Sequence, residues 1–180
     1  LVPAITMRSF SEEKRSGTFE LLFTKPLTGM QIIMAKYIAG FLLVLFSLLP
    51  TCVYFYSIYS LGFPPGNLDT GSIWGSYIGL FFLGAGFTAI GIFSSSLTDN
   101  QIISFIIAVF LSFFCFTGFQ SISSLALFES IGPTLNNFGI QSHYISMSRG
   151  VLDTRDILYF ISLTAFFIIL TKSILESRKW

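Results

Sequence analysis

The sequence predicts an all-α, polytopic helical membrane protein with four complete spans, the end of another, and a cytoplasmic amphipathic helix. Three observations carry this reading. The 180 residues are 53% hydrophobic and 11% charged, with 22 Phe and a mean hydropathy of +0.76, where a soluble domain is usually about 25% charged. Four uncharged or nearly uncharged apolar runs are long enough, at about 1.5 Å per residue, to cross a hydrocarbon core of roughly 30 Å. The Lys and Arg residues are bunched at points between those runs. A net charge of +1 argues against a nucleic-acid partner, which needs a basic face. Cys52 and Cys115 both lie in apolar runs and read as small buried hydrophobes.

Residues 1–180 form a single membrane domain in this reading. Residues 1–10 look like the end of a span, because seven residues before Arg8 are too few to cross a bilayer. Neither a basic leader nor a cleavage site is present, so upstream sequence with at least one more span is expected. Residues 11–36 are the longest polar and amphipathic stretch. Phe19, Leu22, Phe23, Leu27, Met30, Ile33 and Met34 recur at spacings of three and four, while Glu20, Thr24, Lys25 and Gln31 fall elsewhere on the wheel. Ser16 or Thr18 is a candidate cap and Pro26 a breaker. Thr28 and Gln31 have capping-box spacing for a second helix start.

The first span is expected over residues 38–59, with a kink at Pro50. Residues 61–72 hold two prolines, three glycines and no Lys or Arg, the character of a tight non-cytoplasmic turn. The second span, 73–93, is preceded and lined by Gly71, Gly75 and Gly79, four apart on one face. Such small-xxx-small spacing lets helices approach closely, within the chain or between subunits. Gly84, Gly86 and Gly91 extend the smooth surface. Thr98 and Gln101 repeat the capping-box spacing before the third span, 102–119. Residues 120–156 form an outer segment with two apolar patches too short to span. Asp153 or Thr154 is placed to cap the last span, 157–175, with Lys172 near enough to its end to snorkel.

Placing residues 11–36 inside the cell puts Arg8, Lys14, Arg15, Lys25, Lys36, Lys172, Arg178 and Lys179 on the inner face and Arg149 and Arg155 outside. Eight against two satisfies the positive-inside rule and makes the C-terminus cytoplasmic.

The first three spans hold no Asp, Glu, Lys, Arg or His, where ion-coupled transporters need ionisable groups at depth. There is no G-x-x-x-x-G-K-[ST], H-E-x-x-H or G-x-S-x-G run, so no catalytic residue, metal or cofactor is assigned. His143 reads as a solvated or locally bonded side chain. Energy must then arrive by contact, and the surface suited to that is the amphipathic helix, with Phe19, Leu22 and Phe23 as apolar anchors and Glu20 as a carboxylate for a basic groove. A helix lying on membrane lipid is the plain alternative, but such helices are usually rich in Lys and Arg, and here only Lys25 is basic. Glu12, Glu13, Lys14 and Arg15 read as the solvated end of the preceding helix.

The run E-x-x-x-G-T-x-E-L-L-x-x-x-P, formed by Glu13, Gly17, Thr18, Glu20, Leu21, Leu22 and Pro26 and followed by Gln31 and Lys36, resembles the cytoplasmic loop of type-2 ABC transporter permeases. The run S-R-G-V-L-D-T-R-D-I-L-Y-F from Ser148 to Phe160 is similar to the segment before the last span in that family. The likeness is greatest to the gliding-motility-associated permeases of Bacteroidetes. The resemblance implies a multi-pass permease of the cell inner membrane that is not itself an enzyme. It implies a coupling helix, with Gly17, Thr18, Phe19, Glu20, Leu22, Phe23 and Pro26, docking on a separate ATP-binding subunit. It also implies pairing with a second permease chain, identical or different. Such permeases have six spans, and the four spans and a stub here depart from that count. A non-transporting membrane scaffold in a motility or secretion complex is the other reading; a co-purifying ATPase whose turnover changes on reconstitution separates the two.

Overall fold

The computed structural model describes residues 1–18, 28–62, 69–124 and 136–177, and every regular element among them is helical. In order these are α1 (Val2–Thr6), α2 (Ser11–Arg15), α3 (Gly29–Leu48), α4 (Thr51–Leu61), α5 (Thr70–Leu97), α6 (Gln101–Phe113), a π-helical turn (Phe114–Gly118), α7 (Phe119–Ser123), α8 (Ile140–Ser148) and α9 (Thr154–Ser177). Four stretches are long and apolar enough to cross a membrane: Gly29–Leu61, Thr70–Leu97, Gln101–Ser123 and Thr154–Ser177. The chain is an all-α, multi-pass membrane protein. Each helix runs past its predicted apolar span at both ends, because polar residues such as Gln31, Lys36 and Ser94 to Ser96 continue the helix without adding hydropathy.

Local chemistry explains the helix ends. The Thr28 hydroxyl accepts the Gln31 N–H at 3.3 Å and the Gln31 side chain accepts the Thr28 N–H at 2.9 Å, a complete capping box that opens α3. Pro50 has no N–H to continue the ladder, so α3 stops at Leu48 and α4 restarts at Thr51, with Cys52 and Val53 donating to Leu49 and Pro50 carbonyls at 3.1 and 3.2 Å. Asp69 caps α5 through the Ser72 N–H. The expected Thr98–Gln101 box does not form. Asn100 is the cap instead, its side chain accepting the Ile102 N–H at 2.9 Å while Thr98 accepts the Asn100 N–H at 3.2 Å. An Asx side chain in extended backbone next to the first helical residue reaches that N–H directly, which starts the helix two residues later. At α9 the Asp153 carboxylate accepts the Arg155 N–H at 3.0 Å.

The most central span is α5, with 61% of its apolar stretch buried against 17–22% for the other three. α9, α6, α8, α1 and α3 all pack on it. Glycines set the closeness of that packing. A Cβ on Gly91 would come within 2.7 Å of Thr6 Cβ, one on Gly84 within 3.1 Å of Val44, and one on Gly86 within 3.2 Å of Leu163. On α6 the buried positions are Ser104, Ala108 and Ser112, a narrow stripe four residues apart, while Ile102, Ile106, Phe110 and Phe113 are exposed on its outer side. The buried core falls into two clusters. One joins Phe10, Ile33, Ile90 and Phe167 at the end where α2 lies, and the other joins Ile140, Met147 and Phe160 beneath α8.

Cys52 is exposed, against the expectation of a small buried hydrophobe, while Cys115 is half-buried and packs against both core clusters. An apolar run in a membrane helix supplies lipid-facing positions as well as core ones.

Candidate functional site

Of the residues assigned to the coupling helix, Phe19, Glu20, Leu22, Phe23 and Pro26 lie outside the described residues. Gly17 and Thr18 are described, and they close α2. Gly17 has φ +72°, the left-handed conformation of a helix-terminating glycine. The Ser16 and Thr18 hydroxyls lie 2.8 Å apart and the Ser16 hydroxyl donates to the Glu13 carbonyl at 3.3 Å.

What precedes that segment is held tightly. Ser95, fully buried near the end of α5, accepts the Phe10 and Ser11 N–H groups at 2.9 and 3.1 Å and donates to the Met7 carbonyl at 3.0 Å. The Lys14 ammonium donates to the Ser96 carbonyl. The Lys36 ammonium, on α3, reaches the Ser9 carbonyl at 2.6 Å and the Glu13 carboxylate at 2.5 Å, and sits 4.9 Å from the centre of the Phe10 ring. Glu13 and Lys14 are thus bound to neighbouring helices, which corrects the expectation of a solvated helix end. The chain turns between α1 and α2 and tucks the five-residue helix under α5 instead of continuing outward. The segment that follows Thr18 is then rejoined to the bundle by the Thr28 capping box. Ser95 is not singled out by the sequence, and Lys14 and Lys36 stand out there only as inner-face charges and, for Lys36, as part of the loop run. Three consecutive serines closing a long apolar span were the available signal, since such a run supplies hydroxyls where helix ends leave backbone groups unpaired.

The glycine triplet lies at the opposite end of α5. A Cβ on Gly75 would meet the Met147 carbonyl and come within 2.8 Å of Gly150 Cα; on Gly79 it would meet the Tyr144 ring at 3.2 Å; on Gly71, only the Asp69 carboxylate at 3.4 Å. The partner of this face is α8 of the same chain, and Ser72 adds a hydrogen bond to the Ser148 carbonyl at 2.8 Å. Beside it, His143 Nδ1 lies 2.6 Å from Asp156 and Nε2 lies 2.8 Å from the Asn137 carbonyl, with the ring stacked 4.0 Å from Tyr159. His143 is locally bonded and tethers α8 to the start of α9. Among the described residues no group of three or more His, Cys, Asp or Glu is placed to hold a metal ion.

A family model described as ABC-2 family transporter protein matches residues 3–179. The chain belongs to this family. Neither a curated protein nor a solved structure matches it. As an ABC-2 family member it is a transmembrane permease subunit, not catalytic in itself, of a kind that works with an ATP-binding subunit. For such a permease the α1–α2 corner is the site of interest, because it leads directly into the segment carrying the loop motif.

Proposed function

We propose that this ABC-2 permease is driven by a separate ATPase through residues 16–25, a coupling helix with Phe19, Leu22 and Phe23 as buried anchors, Glu20 as the charged contact, Gly17 and Thr18 opening it and Pro26 ending it. ATP hydrolysis in that separate subunit moves a substrate through a path formed with a second permease chain, the same or different. The protein sits in the cell inner membrane with residues 11–36 and the C-terminus inside, residues 120–156 outside, and a role in gliding motility. The observation that carries this reading is the bracketing of the segment. Its upstream side is tied to α5 and α3 through Ser95, Lys14 and Lys36, and its downstream side begins α3 at a full capping box. A push delivered between those anchors reaches two spans at once.

Truncating Leu22 or Phe23 to Ala is expected to weaken ATPase binding roughly ten- to thirtyfold, the loss of about 1–2 kcal/mol typical of a buried interface anchor. Glu20→Lys is expected to be worse, since it turns attraction into repulsion against a basic groove. A lipid-anchored helix responds with the opposite sign, because added positive charge tightens attachment to anionic lipid. Intact ATPase binding together with tighter liposome binding in Glu20→Lys would sink the coupling assignment.

The orientation has its own check. Lys14, Arg15 and Lys36 gather at the α2 end of the bundle, while Arg149 and Arg155 flank the start of α9. A single cysteine at the exposed Ser124, with Cys52 and Cys115 replaced, is expected to react with an impermeant maleimide from outside intact cells. Reaction only after permeabilisation would invert the topology.

A further inference from the structure

We propose that Ser95 is the positioning residue that passes movement of the contact segment into α5, and through α5 to α8 at the other face of the bundle. The inference rests on the coupling reading above and names the joint it requires.

Helix α2 begins without a cap of its own. The N-cap of α2 is Phe10, whose side chain has no acceptor, and no side chain of α2's own neighbourhood caps it. First-turn N–H groups have no partner inside their own helix, yet here they are buried, since Phe10 and Ser11 are both fully inaccessible. Ser95 supplies the cap from another helix. One hydroxyl accepts the Phe10 and Ser11 N–H groups and donates a hydrogen bond to the Met7 carbonyl, so three backbone groups at the α1–α2 corner close on a single α5 side chain. Among the described residues the hydroxyl of the neighbouring Ser94, equally buried, bonds to the Ile90 carbonyl of its own helix at 2.9 Å and to no other helix.

The two spans bonded to this corner, α5 through Ser95 and α3 through Lys36, are not equivalent transmitters. α3 follows the contact segment in the chain but is interrupted at Leu49–Pro50, where the backbone ladder is broken. α5 runs unbroken for 28 residues, about 42 Å at 1.5 Å per residue, which exceeds the hydrocarbon thickness. At its far end Gly75 lies against the backbone of Met147 and Gly150, and Ser72 bonds to Ser148. A path from the α1–α2 corner to α8 that stays on one unbroken helix therefore begins at Ser95.

The test uses the full chain with the ATPase that co-purifies from native membranes. A single cysteine replaces the partly exposed Ile145 on α8, Cys52 and Cys115 being replaced, and its maleimide labelling rate is measured with and without ATP and vanadate. In the parent a several-fold nucleotide-dependent change is expected. Ser95→Ala should reduce that change to less than twofold while ATPase association stays within twofold of the parent. Ser95→Thr, which keeps the hydroxyl, should retain more of the change than Ser95→Ala, and Ser94→Ala should match the parent. A purely structural role for Ser95 predicts parallel losses in association and response. That outcome, or a full response in Ser95→Ala, overturns the joint. If the parent itself associates with no ATPase, the coupling reading fails first and the joint with it.

Discussion

Replacing Gly75 by leucine is expected to be the most damaging single change in the bundle. Even one added carbon would collide with the Met147 carbonyl and with Gly150 Cα at 2.8 Å, and both obstacles are backbone, which cannot rotate away. Gly150 cannot yield easily either. It ends α8 at φ +82°, a conformation that side-chain-bearing residues rarely adopt, and its own Cβ position lies 3.0 Å from the Gly71 carbonyl carbon. Overpacking of a well-packed site typically costs about 1–3 kcal/mol when side chains can shift, so displacing the end of α8 should cost at least the upper part of that range. Gly79→Leu should be milder, because it meets the aromatic ring of Tyr144, and Gly71→Ala mildest, because only a side-chain oxygen at 3.4 Å stands nearby. The order Gly75, Gly79, Gly71 is to be read from unfolding midpoints in detergent. Equal stability in all three would mean that α8 does not seat on α5 as described.

His143→Ala is expected to be the second largest loss. Asp156 is 6% exposed, one of its oxygens is bonded to His143, and the other is buried without a partner among the described residues. Removing the imidazole leaves a buried carboxyl oxygen without its hydrogen-bond partner, and such a loss typically costs about 1–3 kcal/mol, more where the group is charged. It also removes the bond to Asn137 and the stack on Tyr159. The double variant His143→Ala/Asp156→Ala should be less destabilised than the two single changes predict by addition, since deleting the carboxyl group removes the stranded acceptor. Strict additivity would show that the two side chains do not act as a pair.

The spans were legible because a membrane helix declares itself by length and by the absence of charge, and both are local properties. The Thr28–Gln31 box was legible for the same reason, its two bonds spanning only three residues. Thr98–Gln101 has identical spacing and failed because Asn100, closer to the first turn, competed for the cap. Spacing identifies candidates but does not rank them. The Ser95 clasp was not legible, since its partners are 84 to 88 positions away and a buried serine looks the same in sequence whether it bonds to its own helix, as Ser94 does, or to another. Gly71, Gly75 and Gly79 stood out by spacing, yet spacing left their partner open, and α8 was read only as a short apolar patch. The anchors Phe19, Leu22 and Phe23 lie outside the described residues, and their roles rest on pattern and on the family motif.

The π turn in the third span changes which way its two halves look. An α-helix advances about 100° per residue, so residues five apart point roughly 140° away from each other. Phe114 and Phe119 are five apart, yet their ring centres are 5.5 Å from one another, a proximity that the wider turn makes possible. Phe110 stacks on Phe114 and Phe119 in turn lies 6.4 Å from Phe138. The single extra residue taken up by that turn thus acts as a phase shift. It swings the end of the span out of step with its beginning, and carries a line of aromatic rings from the exposed side of α6 round to the segment that leads into α8.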